Sequence, residues 1–466
     1  MAADDALKRE IDDYVDRAWD DLVDDMDSLV SIESVENLDE AKPGEPWGHE
    51  SRRALDCAVG IADKLGLDAH NMDGYIGYAD LAGASDKQIA MIAHTDIVPL
   101  GTGWTFDPLS VTRKDGYLIG RGCLDDKGPC VVSLYTAAFF KGRDLPYTIR
   151  CILGNNEETG MGDVDYYLKH EPEPAWLFSP DADFPVICGE KGGFSATYDS
   201  GAIVGDVIVD FDGGTVGNAI PGLASVTVRA DASKLPAATD IDIEDAGDGL
   251  AKLTAHGKGG HASLPAGTVN AIGMLVDYLL DNSLYGQKEH PFLLLQKAIF
   301  SSTDGSTLGI AATDDIFDPL TCIGGTIRTK DGHLYQTIDS RYPKSTTGEY
   351  LRKTLTALGE KYGATLTVDM DMVPFYVEPD SAPIQTMVAT YNEYTGRDAK
   401  PFTIGGGTYS RDFKHAASFG PNDPSIPTPS WVGPEHGPDE GISEDALKRA
   451  MKIYIMTITR LMELDL

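Results

Sequence analysis

The sequence is short of positive charge, sparing with cysteine and without any long apolar run, and each shortage excludes something. Lysine and arginine number 38 against 74 aspartates and glutamates, a formal net charge of −36. A field of that sign repels nucleic acid and anionic membrane surfaces, so neither is expected as a partner. It reads as a solvated, soluble exterior, with adaptation to salt as a lesser alternative. It would concentrate divalent cations without selecting one. The six cysteines (Cys57, Cys123, Cys130, Cys151, Cys188 and Cys322) form no CxxC pair and lie mostly in apolar contexts. Their spacing fits no thiolate metal site, and reduced, buried thiols in a cytoplasmic protein are expected. The most apolar stretch, Cys130 to Phe140, is 11 residues long and carries Ser133 and Thr136; a membrane span needs roughly 20. The opening Met-Ala-Ala-Asp-Asp-Ala-Leu-Lys lacks the basic region and apolar core of a signal peptide. There is no GxxxxGK[ST] nucleotide motif, no internal repeat and no low-complexity tract.

What is present suits a soluble enzyme of more than one domain. A chain of 466 residues with 42% hydrophobic and 24% charged residues is too long for one compact core. Apolar positions recurring every three or four residues predict a helix over 4–32 and a second over 51–65. Short apolar runs at 89–92, 147–153 and 176–178 are buried-strand candidates, with a helix-like segment at 128–141 between the first two, which is βαβ construction. Near residue 190 the pattern changes to alternating or β-branched strands at 194–199, 207–209, 224–230 and 250–255. A helix is expected over 268–280, then a further set of strands leading to 337–343, a helix over 347–362 and a strand over 365–373. Helices at 382–394 and 444–464 close the chain. The economical organisation is an inserted domain, 190–380, dividing a first domain into segments 1–189 and 381–466.

Polar clusters punctuate this pattern: His94-Thr-Asp96, Asp125-Asp126-Lys127-Gly128, Asn156-Glu157-Glu158, Ser179-Pro-Asp181-Ala-Asp183 and Pro434-Glu435-His436-Gly437. Each is read as the place where an apolar strand gives way to a turn, where α/β folds build their sites. Histidine with carboxylate suits zinc, manganese or cobalt. A carboxylate such as Asp125 can bridge two ions. Asp96 could accept the ring proton of His94. Of Glu157 and Glu158, one can bind metal while the other carries protons. Taken singly, each cluster has a plainer reading: a core hydrogen bond, an acidic helix start, a turn residue, a loop histidine. Five together, in this order, are harder to assign to accident.

The chain resembles the M20 metallopeptidase family, and within it the PepV-like, carnosinase-like dipeptidases, nearly end to end. The likeness also rests on Gly103-Trp104-x-x-Asp107-Pro108-Leu109, Asp115-Gly-x-Leu-x-Gly-Arg121-Gly, Glu190-Lys-Gly192, Gly257-x-x-Gly-His261-Ala-Ser-x-Pro265 and Gly405-Gly-Gly-Thr-Tyr-x-Arg411. The resemblance implies an α/β fold: a mixed-sheet zinc-peptidase-type catalytic domain with an inserted α+β lid domain. It implies two divalent ions, zinc first, with manganese or cobalt as alternatives. His94 and Asp181 would complete one site and Glu158 and His436 the other, bridged by Asp125. Glu157 would be the general base for a metal-bound water, Asp96 the orienter of His94, and His261 the oxyanion donor. Arg341, Asn218 and the backbone at Gly407 would bind the substrate carboxylate. The implied activity is hydrolysis of unblocked dipeptides by a cytoplasmic monomer acting on small peptides. The alternatives are an M20 deacylase acting on N-acyl amino acids and a metal-dependent binding protein without catalysis.

Overall fold

In a computed structural model, the backbone is described for residues 2–466 and the side chains for residues 5–466. Met1 and the side chains of residues 2–4, part of the N-terminal stretch read above, lie outside the described residues. The chain divides into two compact units. The first takes the chain up to Gly189, Tyr376–Phe402 and Gly407–Leu466; the second takes Glu190–Phe375 and Thr403–Gly406.

The first unit is built on a mixed sheet. Its strands run in the order Asp68–Met72, Ile76–Leu81, Thr148–Gly154, Gln88–His94, Trp176–Ser179, Ala416–Ser418, Ile187–Glu190. Thr148–Gly154, Gln88–His94, Trp176–Ser179 and Ala416–Ser418 are mutually parallel, so their C-terminal ends share one edge of the sheet. The first three are buried at every residue, which is why they read as continuous apolar runs rather than alternating ones. Helices Ala2–Val30, His49–Leu65, Lys127–Ala138 and Glu444–Leu461 pack with these strands into one apolar core. The helix Lys127–Ala138 is buried along its first 11 residues, so it shows no polar face in the sequence.

The second unit is built on an eight-stranded antiparallel sheet with three α-helices, beside a short two-stranded pairing. Its strand order is Ile241–Gly247, Leu250–His256, Leu223–Arg229, Ile208–Gly213, Thr321–Lys330, His333–Tyr342, Gly192–Asp199, Thr365–Met372. Burial alternates along Leu223–Arg229 and Leu250–His256, leaving one face for helices Ala271–Asp281, His290–Phe300 and Gly348–Lys361. The first of these begins at Ala271 rather than at 268, because the Asn270 side chain accepts hydrogen bonds from the Ile272 and Gly273 N–H groups. Between Leu280 and the strands expected to lead to 337–343, the chain also forms the helix His290–Phe300, which the sequence pattern did not single out. Its run Phe292–Leu295 is apolar without a period, and helix and strand cannot be told apart on that basis. Both edge strands carry acids (Asp242, Glu244 and Asp245; Asp369 and Asp371), which discourages further strand pairing.

Candidate metal centre

Adjacent parallel strands deliver three of the clusters to one place. His94 ends Gln88–His94, Glu157 and Glu158 lie in the turn after Thr148–Gly154, and Asp181 follows Trp176–Ser179. Asp125 and His436 arrive on loops instead, against the expectation that every cluster closes an apolar strand. Asp125 stands just before the helix Lys127–Ala138, joined to Asp126 by a cis peptide bond. His436 has a left-handed φ of 62°, in a turn closed by the Gly437 N–H to the Pro434 carbonyl at 3.1 Å.

Asp125 occupies the middle. Its Oδ1 is 2.9 Å from His94 Nε2 and its Oδ2 is 2.8 Å from His436 Nε2. His94 Nε2 is also 3.7 Å from Asp181 Oδ2, and His436 Nε2 is 3.2 Å from Glu158 Oε2. Two histidine–carboxylate pairs therefore share one carboxylate. Donor atoms of His94, Glu157 and Asp181, and of His94, Asp125 and Glu158, lie within 4.8 Å of one another. For nitrogen and oxygen ligands about 2.1 Å from an ion at the corners of a tetrahedron, neighbouring donors stand about 3.4 Å apart. The observed spacings bracket that value, so the donor set fits divalent ions in both number and kind.

The charges point the same way. Burial would raise the Asp125 carboxyl, but hydrogen bonds from His436 and His94 outweigh it and hold it below the usual carboxylate range. Asp125 and Glu158 push the His436 imidazole up to about 11. Burial raises Glu157, with Asp181 adding to it, and burial together with the Asp125 charge raises Glu158 and Asp181. Carboxylates outnumber imidazoles here, and a cation is what offsets that excess. Among the described residues, Glu158 Oε1 and Asp126 Oδ1 are buried polar atoms without a hydrogen-bond partner.

Asp96 acts on both sides of the cluster. Its main-chain oxygen lies 3.0 Å from His94 Nδ1, nearer than its carboxylate Oδ1 at 3.4 Å. A carbonyl can only accept, so Nδ1 carries the ring proton and Nε2 faces the cluster. The Asp96 carboxylate accepts from the Glu157 N–H at 3.2 Å and the Glu158 N–H at 3.1 Å. The same turn is held from behind by Asp163, which sequence reasoning missed. Its Oδ2 accepts from the Asn155 N–H at 2.6 Å, the Asn156 N–H at 3.1 Å and the Tyr409 hydroxyl. Tyr409 approaches so closely that a Cβ at Gly154 would stand 2.2 Å from its hydroxyl oxygen; the strand must end in glycine. Nothing in a buried Asp or Tyr announces such a role, because two of the partners are main-chain amides, which any residue carries, and the third lies 246 residues away.

The remaining predicted residues, apart from Gly407, belong to the second unit. Strands Ala219–Ile220 and Gly260–His261 pair with Ala219 opposite His261, and the Ala262 N–H donates to the Asn218 carbonyl at 2.9 Å, bringing Asn218 and His261 together. His261 is exposed. Its Nδ1 accepts the Ser263 N–H at 3.2 Å, with Ser263 Oγ at 2.7 Å, so the ring proton resides on Nε2. Arg341 is buried and its Nε and Nη2 fork onto Asp339 at 2.9 and 3.2 Å. Within the glycine run, a Cβ at Gly405 would meet the Ser263 Cβ at 2.8 Å; that glycine makes room for the turn carrying His261. Gly407 lies in the first unit, half-buried.

Parallel strands ending in a shared histidine–carboxylate cluster are what a divalent-metal hydrolase needs. The sequence model described as peptidase family M20/M25/M40 matches residues 90–460, and the chain belongs to that family. The Bacillus subtilis (strain 168) protein YtjP is 31% identical over 462 residues, covering 96% of this chain and 98% of that one. The Beta-Ala-Xaa dipeptidase of Lactobacillus delbrueckii subsp. lactis is 30% identical over 466 residues, covering 95% and 96%. Among solved structures, human carnosine dipeptidase 1 has a similar fold, with a TM-score of 0.61 at 16% identity over 98% of this chain and 99% of that one.

Proposed function

We propose that the protein is a dinuclear metal-dependent dipeptidase that hydrolyses the amide bond of unblocked dipeptides. The observation that carries this reading is Asp125, whose two oxygens each meet a different histidine. His94, Asp125 and Asp181 would hold one ion, and His436, Asp125 and Glu158 the other. Divalent ions there, zinc first and manganese or cobalt otherwise, supply Lewis acidity that polarises the scissile carbonyl and acidifies water. Asp96 keeps His94 in the Nδ1–H tautomer and fixes the Glu157–Glu158 turn. Glu157 takes the proton from the attacking water and returns it to the leaving amine. His261, with its proton on Nε2, donates to the oxyanion. Arg341, with Asn218 and the Gly407 backbone, receives the C-terminal carboxylate. Of these, His261, Arg341 and Asn218 belong to the second unit and Gly407 to the first.

The name of the Lactobacillus relative brings β-alanyl dipeptides forward as substrates, and similarity at 30% identity over nearly the whole chain supports dipeptides in general. We take the protein to act as a cytoplasmic monomer on small peptides. Five of its six cysteines are buried and all are unpaired, as in a reducing compartment. Among the described residues no helix is long and apolar enough to cross a membrane. The test is a substrate panel run with metal-loaded and chelator-treated protein. Free dipeptides, β-alanyl dipeptides among them, should be cleaved, and chelation should abolish cleavage until zinc, manganese or cobalt is restored. Full activity after stripping removes the metal mechanism, and preference for N-acyl amino acids makes the protein a deacylase.

A further inference from the structure

We infer that Glu440 and Arg121 are positioning residues for this centre, a buried ion pair that fixes Asp125 and His436 relative to one another. The inference rests on the two-ion reading above. Glu440 and Arg121 are 0% and 1% exposed, and Arg121 Nη1 donates to Glu440 Oε2. The other carboxylate oxygen, Oε1, accepts three main-chain N–H groups: Gly122 at 2.9 Å, Leu124 at 3.2 Å and Asp125 at 3.2 Å. One side chain thus gathers the loop that presents Asp125, much as a nest of amides gathers an anion. Arg121 reaches the other way: its Nη2 donates to the His436 carbonyl at 3.2 Å and to the Leu100 carbonyl at 3.4 Å. The Trp104 ring lies over the guanidinium at 5.2 Å.

Asp125 and His436 are the two members of the cluster that no strand positions, and both loops close on this pair. A buried ion pair is weak evidence for stability, since well-packed apolar residues often do as well. Fixed geometry is what it supplies here. The guanidinium fork matches both a carboxylate oxygen and a carbonyl.

The test measures zinc binding itself, by calorimetry and by competition with a chelating dye, beside thermal melts in chelator. Glu440→Gln should still melt cooperatively in chelator, yet bind both ions about 10–100-fold more weakly, the range for losing an orienting partner. Arg121→Lys keeps the charge but loses the limb to His436. It should weaken mainly one of the two ions. Native affinity and stoichiometry in both variants, with only the chelator melts lowered, overturns the inference and leaves a purely structural pair. Should Glu440→Gln fail to fold, Arg121→Lys decides; failure of both to fold without metal also assigns the pair to stability and overturns it. Native protein that binds fewer than two ions brings down the two-ion reading itself, whatever the variants do.

Discussion

Replacing Glu157 and Glu158 one at a time by glutamine separates chemistry from metal binding. The amide conserves volume, and the Asp96 carboxylate grips the main-chain N–H groups of both residues rather than their side chains, so the turn should persist in either variant. Glu158 Oε2 lies 3.2 Å from His436 Nε2, and the side chain is 7% exposed. Its replacement takes a charged ligand from one ion, and metal content should fall from two toward one per chain. Glu157→Gln should retain both ions and lose turnover by about 10²–10⁴-fold, the contribution of general-base catalysis. At 1.36 kcal/mol per tenfold, that is roughly 3–5 kcal/mol of barrier. Metal analysis of gel-filtered protein, kcat on a free dipeptide, and melts with and without zinc read these outcomes together. Ligand at about 100 times its Kd stabilises the folded state by about 2.7 kcal/mol, so zinc should raise the melting temperature of Glu157→Gln more than that of Glu158→Gln. Equal metal loss in both variants would refute the division of labour. So would near-native turnover in Glu157→Gln.

Tyr409→Phe removes a hydroxyl donor from the buried Asp163 carboxylate; the melting transition should fall by the equivalent of about 1–3 kcal/mol, and an unchanged melt would make that bond dispensable. Arg341→Lys should lose roughly 2–5 kcal/mol in kcat/KM on free dipeptides and little more on amidated ones, because an ammonium cannot reproduce the planar fork. Equal native rates on free and amidated dipeptides would remove the carboxylate anchor. With a net charge of −36, self-repulsion should make the protein more stable as potassium chloride rises from about 0.1 to 1 M, where the screening length falls from about 10 to 3 Å. A melting temperature indifferent to salt would show that the acids are too well dispersed to matter.

The elements legible in the sequence were those whose burial is simple. Gln88–His94 and Thr148–Gly154 are buried throughout and read as unbroken apolar runs, while Leu250–His256 alternates, so each left its mark in the residues. Asp68–Met72 escaped notice because an edge strand with the residues Asp-Ala-His-Asn-Met is half-exposed and polar. Gly162–His170 was missed because only three of its residues are buried, too few to mark a face. At the site, histidine and carboxylate types in order were enough to nominate the five clusters, whereas the choice of His94, Asp125, Glu158, Asp181 and His436 within them rested on the family resemblance. The groups behind them were not nominated. Glu440 and Asp163 are defined by the amides they gather, and amides carry no residue identity. Arg341 was picked as a substrate group, but its buried partner two residues earlier in the strand, Asp339, was not.

The place of Ala416–Ser418 between Trp176–Ser179 and Ile187–Glu190 has a consequence for biosynthesis. At about 5–20 residues per second, the ribosome delivers Ala416 roughly 12–50 s after Ser179. Through that interval the buried strand Trp-Leu-Phe-Ser has one bare edge, an invitation to mispairing with other nascent chains. A chain released before that strand would keep His94, Asp125, Glu158 and Asp181 but lack His436, leaving a sheet open along its middle and an incomplete ligand set. Such fragments should aggregate rather than persist as partial enzymes, and slow decoding anywhere between those two strands should lower the yield of soluble protein.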